Sequence, residues 1–191
     1  GFYAGDGQNI DGSANLAFAL GKQGGYLDLA AQVMHQLPAS RNGDYINPSR
    51  APNDFYYALP NGNVDPRSNR SRDVQRSNSL SKRTAETLSA NMSVPITEHI
   101  DLYSTSTYAH RKVSVGQTYR AAADDLTVTS LWPDGMQPYY DMTENDIEVD
   151  NGFKGHTFGF SWDTYVNYGK DLQSYDMRDT DNASYGDASK T

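Results

Sequence analysis

The sequence predicts an all-β chain built as an antiparallel up-and-down transmembrane β-barrel segment, of about six strands in three hairpins. Three observations lead there. Apolar residues recur at every second position in six short stretches. The connections alternate between tight turns and long polar stretches. The chain is polar on average, with 37% hydrophobic residues, a net charge of −8 and a mean hydropathy of −0.74, yet no capped helical pattern appears. In a barrel wall, lipid-facing and lumen-facing residues alternate, so averaged hydropathy hides the membrane.

The first hairpin is the clearest. Ile10, Gly12, Ala14, Leu16, Phe18 and Leu20 share one face, and Asp11, Ser13, Asn15, Ala17 and Ala19 the other. Gly21-Lys22-Gln23-Gly24-Gly25 turns the chain, with glycine where positive φ is needed. The return strand runs from Tyr26 to about His35, with Leu27, Leu29, Ala31 and Val33 on one face. Residues 36–84 then show no sustained period. Structureless stretches of roughly fifty residues are uncommon in compact domains and usually carry function or disorder.

In the second hairpin, Leu88, Ala90, Met92 and Val94 alternate with Thr87, Ser89, Asn91 and Ser93, and residues 95–99 form the turn. On the return, about Ile100 to Arg111, Leu102 and Tyr108 share a face with Ser104 and Ser106. A second long loop, about 112–141, includes a short helical turn near Ala121–Asp125. The third hairpin sets Ile147, Val149 and Phe153 against Glu148, Asp150 and Gly152. It turns over Gly155–Gly159 and returns through Phe160, Trp162, Thr164, Val166 and Tyr168. A third polar stretch, about 169–191, follows. Trp162 and Tyr168 lie roughly 20 Å apart on one face, a spacing that suits two membrane-interface aromatic girdles.

Several chemistries find no support. With no cysteine there is no disulfide or thiolate chemistry. His35, His99, His110 and His156 are scattered, and no nucleophile elbow, phosphate loop or metalloprotease spacing occurs. No catalytic residue, metal site or cofactor is therefore expected. A pI near 4.8 argues against a nucleic-acid partner. The acidic run Asp141, Glu144, Asp146, Glu148 and Asp150 lacks EF-hand spacing and reads as polar lumen-side positions on a strand. The candidate ligand-binding residues lie in the loops. Arg41, Arg67, Arg70 and Arg72 can meet anionic groups bidentately, and Tyr56, Tyr57, Trp132, Tyr139 and Tyr140 can stack on a sugar or chelate.

Five segments, in order, resemble the barrel of TonB-dependent outer-membrane receptors. Tyr3–Gln32 resembles a hairpin that opens YxGDG. Arg41-Asn42-Gly43 sits where relatives carry an Asn-Arg-Ala-Gly-like stretch. Trp132–Pro138 (WPDGMQP) is similar to an aromatic-Pro-Asp-Gly loop. Gly152–Gly169 resembles a strand–turn–strand ending W-D-x-x-x-x-Y-G, and Arg178–Thr191 the polar stretch that follows it. Residues 44–84 match nothing in that pattern, and Val33-Met34-His35-Gln36 replaces a stretch that is charged in relatives.

The resemblance implies the central part of a 22-stranded barrel, without its plug and remaining strands. Such a receptor imports a scarce nutrient (iron chelate, haem, cobalamin or oligosaccharide) across the outer membrane of a Gram-negative bacterium, with energy from the inner-membrane TonB complex. Its implied partners are the rest of its own barrel and plug, outer-membrane lipid and lipopolysaccharide, and the nutrient. The residues also admit a passive porin-like barrel or a secreted β-sandwich binding module.

Overall fold

The computed structural model describes residues 7–39, 80–120 and 125–189. They form one six-stranded antiparallel sheet in the order β1-β2-β3-β4-β5-β6. The strands are β1 (Asn9–Leu20), β2 (Gly25–Gln36), β3 (Lys82–Thr97), β4 (Ile100–Gly116), β5 (Tyr139–Thr157) and β6 (Phe160–Arg178). The chain is all-β and up-and-down, as the period-2 pattern requires. The sheet is not closed, so β1 and β6 are its edges.

Register aligns the apolar sets. Leu16 pairs with Leu29, Leu29 with Ala90, Ala90 with Ser106, Ser106 with Val149, and Val149 with Tyr168. The next row reads Phe18, Leu27, Met92, Ser104, Asn151 and Val166. Since side chains alternate sides along a strand, every apolar set in the sequence falls on one face. The other face carries rows such as Ala17, Asp28, Asn91, Thr105, Asp150 and Asn167.

The strands outrun the apolar alternation that marks them in the sequence. β3 begins at Lys82, β4 reaches Gly116, β5 begins at Tyr139 and β6 reaches Arg178. Of the expected loops 36–84, 112–141 and 169–191, Gln36, residues 82–84, 112–116, 139–141 and 169–178 belong to strands instead. At Thr143–Asp146 both faces are polar and no period marks the strand, yet the backbone ladder continues; in Lys112–Gly116 the alternation persists through Val113 and Val115, on the face opposite the apolar band. Likewise β3 passes through Pro95 to Thr97, with a register shift between those two residues, a place where a strand tolerates proline. The expected turn at Ala121–Asp125 falls mostly outside the described residues.

The third turn is narrower than the expected Gly155–Gly159. It consists of Phe158 and Gly159, with φ of 54° and 80°. Two positive φ values define the type I′ hairpin turn, whose twist matches that of the flanking strands. Glycine supplies the second value freely, whereas Phe158 holds an unusual conformation for a bulky residue.

Among the described residues no second layer lies over the apolar face. Among the described residues the buried hydrophobic side chains are Ala39, Tyr119, Val128 and Met136, all outside the strands. Leu16 is 60% exposed and Val166 74%. Two glycines let large rings lie flat across the sheet. A Cβ on Gly152 would stand 2.6 Å from Tyr103, and one on Gly155 would stand 2.7 Å from Trp162. Because Gly152 has no side chain, the Tyr103 hydroxyl crosses β5 to donate to Asp163 Oδ1 on β6 at 2.8 Å.

Candidate functional site

The sheet offers three regions for function: its apolar face, its polar face and the loop end. At the turn end, Phe160 and Trp162 lie on the apolar face, and Phe158 at the turn tip is 95% exposed. The Trp162 indole N–H donates to Thr157 Oγ1 at 3.1 Å, which fixes the ring over Gly155. Tyr168 lies on the same face, as the spacing predicts, and is 56% exposed.

From the Ile100–Gly155–Trp162 row to the Tyr108–Ile147 row, the apolar band runs about 26 Å along the strands. Beyond it, toward the loop end, polar and apolar residues mix on both faces: Lys82 and Lys112 share one with Val33 and Leu172, and Arg111 and Glu144 share the other with Val113 and Met142.

The polar face is tied together by side chains. Gln32 donates to Asp11 at 2.9 Å across β1 and β2. Arg111 pairs with Glu144, which is 5% exposed. Asn167 donates to both Glu148 (3.2 Å) and Asp150 (2.7 Å). Glu144, Asp146, Glu148 and Asp150 stand here on alternate positions of β5. Asp141, the fifth acid of that run, falls on the opposite face because its parity differs. No group of three or more metal-ligating side chains occurs among the described residues.

At the loop end, Tyr139 and Tyr140 are consecutive strand residues and so point to opposite faces. They do not form one stacking surface. The Arg178 guanidinium lies 4.0 Å over the Tyr139 ring. It donates to Asp141 at 2.7 Å, Asp179 at 2.6 Å and Ser114 at 3.0 Å. Burial alone would raise the Asp141 pKa, but the Ser114 hydroxyl, the Arg178 guanidinium and the more distant Lys82 ammonium outweigh it and hold the carboxyl below its ordinary value. This cluster lies beyond the apolar band. On the polar face, Tyr140 stacks on Tyr175, with centroids 5.0 Å apart.

Trp132 opens the turn of the β4–β5 loop, and the Gly135 N–H donates to its carbonyl at 3.0 Å. Gly135 has φ of 80°, and a Cβ there would strike Tyr119 and Arg120. Glycine is therefore required in the WPDG segment. The Trp132 indole N–H is enclosed and meets no acceptor among the described residues. Asp181 and Asp187, in the segment after β6, accept from the Val128 N–H at 2.7 Å and from the Ser130 hydroxyl.

Arg41, Tyr56, Tyr57, Arg67, Arg70 and Arg72 lie outside the described residues. The Arg178 cluster, the Tyr140–Tyr175 stack and the Tyr103 bridge went unnoticed in the sequence. Counting outward from the two-residue turn at Phe158–Gly159 pairs Tyr139 with Arg178 and would have found the first. Comparison with models of known protein families, with curated proteins and with solved structures finds no match to this chain.

Proposed function

We propose that this sheet is a section of the wall of an outer-membrane active transporter of the TonB-dependent kind. In this reading the apolar face meets lipid and the polar face lines the lumen around a plug. The long connections face outward, where they help bind a scarce nutrient such as an iron chelate, haem, cobalamin or an oligosaccharide. The inner-membrane TonB complex supplies energy through the plug, and further strands of the same barrel pair with the β1 and β6 edges.

The observation that carries this reading is an apolar face that no described residue covers. Soluble proteins rarely expose contiguous apolar patches beyond a few hundred Å², and a sandwich would lay a second sheet on this one. A lipid-facing wall needs neither device. Its backbone groups are satisfied between strands, as a membrane demands. The tight turns at one end, the aromatic residues at the band's border and the ordered sequence resemblance agree with it. The chain contributes no catalytic group to this function.

The absence of cysteine makes the test direct. Single cysteines at Leu29 and at Thr107, introduced into the native protein that carries this chain, are exposed to a lipid-phase probe and to a water-soluble maleimide. The expected outcome is lipid-phase labelling at position 29 only, in the outer-membrane fraction. Recovery in a soluble fraction, or aqueous labelling at 29, defeats the membrane reading. Nutrient uptake that persists after collapse of the proton gradient assigns a passive barrel instead.

A further inference from the structure

We infer that the loop end of the polar face binds a flat, conjugated, carboxylate-bearing ligand, its ring system on Val113, Met142 and Tyr175 and its carboxylate at Arg83. This inference rests on the transporter reading above and deepens it, since it names the chemistry of the nutrient that this stretch of wall meets.

Behind the apolar band, the polar face carries mostly acids, amides and hydroxyls. Toward the loop end its composition changes. One row reads Arg83, Val113, Met142 and Tyr175. The next row outward reads Val115, Tyr140 and Met177. Tyr175 is 48% exposed and Met177 52%, while the two valines, Tyr140 and Met142 are half-buried. From Arg83 to Tyr175 is three strand spacings, about 14 Å. In the membrane reading, lipid lies on the other side of the sheet and does not account for this patch. A wall that met only water would gain nothing from it. Apolar and aromatic residues gathered on the wet side mark a contact surface.

Shape and charge select the occupant. Tyr140 and Tyr175 stack with 25° between their ring planes, so each steadies the other. Met142 pairs with Tyr175 and Met177 with Tyr140. Thioether sulfur favours contact with aromatic rings, and tyrosine rings favour offset stacking. Both suit a flat conjugated ligand. A sugar would turn hydroxyl groups toward Val113 and Met142 without partners, which costs free energy. Arg83 supplies the charge. It is exposed, its Nη2 donates to Met34 Sδ at 3.2 Å, and it forms no ion pair among the described residues. Arg111, one row toward the turn end, is engaged by Glu144. A guanidinium takes a carboxylate bidentately. Two rows toward the turn end from Met142 and Tyr175, about 13 Å along the strands, Asp146 stands directly opposite Asp171. Those carboxylates repel an anion. The charged end of the ligand therefore lies at Arg83, and its ring system reaches across to Tyr175.

The test uses the native protein that carries this chain, in neutral maltoside detergent, with protein-free micelles as the reference. Pyrene carboxylate, its uncharged analogue pyrenemethanol, the bulky adamantane carboxylate and maltohexaose are compared by equilibrium dialysis. Pyrene carboxylate is expected to bind most tightly. Arg83→Ala should lower its affinity about tenfold and leave that of pyrenemethanol unchanged, and Arg83→Lys should restore part of the loss. Tyr175→Ala should weaken both pyrenes about fivefold. No binding of pyrene carboxylate, equal affinity for adamantane carboxylate or maltohexaose, or unchanged affinity in either alanine variant overturns the inference. Hydroxyl-radical footprinting reads the competing occupant. Oxidation of Met142 and Met177 that pyrene carboxylate suppresses supports a ligand site. Resistance of both methionines without any ligand means that a segment of protein covers the patch, and it overturns the inference. If the cysteine at position 29 is labelled from lipid while these results fail, this inference falls alone. If that labelling also fails, the transporter reading falls with it.

Discussion

The two faces of the sheet share one backbone and hold themselves together in different ways. On the polar face, side chains link neighbouring strands and even skip one, as Tyr103 does to reach Asp163. Within the apolar band of the other face side-chain links are scarce: the Tyr108 hydroxyl reaches Asn145 at the band's border, and Ser104, Ser106, Asn151 and Thr164 are scattered among apolar neighbours. Polar cross-links need both partners in place, whereas an apolar face needs only a suitable medium. The same charged substitution should therefore be costly on one face and mild on the other.

The sharpest way to break that contrast is a matched pair of lysines. Leu29→Lys, near the middle of the apolar band, is expected to destabilise the native protein by about 2–4 kcal/mol in membranes. Thr107→Lys, opposite Glu148 on the polar face, should change stability by under about 0.5 kcal/mol. Unfolding midpoints in denaturant with vesicles decide it, and equal effects would remove the distinction between the faces.

A smaller asymmetry lies within the polar face. Arg111→Ala strands the enclosed carboxylate of Glu144 and should cost about 1–3 kcal/mol. Glu144→Ala leaves a guanidinium that is already half in water and should cost less. The reverse order in the unfolding midpoints would show that Glu144 is more open to solvent than its 5% exposure implies.

The smallest expected effect concerns Asp141, on the apolar side but beyond the band. Its folded pKa is lowered, so its contribution is present above the ordinary carboxylate pKa and is lost as pH falls through the folded value. Asp141→Asn should cost no more than about 1 kcal/mol at neutral pH, as for an exposed pair. The gap to the wild-type protein should close on acidification. A gap that persists at acid pH would rule out charge as its source.

The sequence was most informative where burial alternates. Leu16, Phe18, Leu27 and Leu29 disclose their face without any knowledge of the partner strand. It was least informative at Thr143–Asp146, where Thr143 and Asn145 face one side and Glu144 and Asp146 the other, so neither face has an apolar mark there. Cross-sheet contacts needed the register of three strands at once, and nothing local to Tyr103 or Asp163 announces the space above Gly152. Of the residues selected for ligand contact, Tyr139 lies under Arg178 on one side and Tyr140 on Tyr175 on the other. Adjacency in sequence implied a shared surface that strand geometry forbids.

The bonds from Asp181 to Val128 and from Asp187 to Ser130 have a mechanical consequence. They clamp the segment after β6 to the loop between β4 and β5, two connections far apart along the chain. At its other side that segment is anchored by Arg178, whose guanidinium grips Asp179 while resting on Tyr139. A continuous run of hydrogen bonds thus joins Trp132 to Val128 and Val128 to Asp181. Moving either segment away from the other therefore means breaking both bonds.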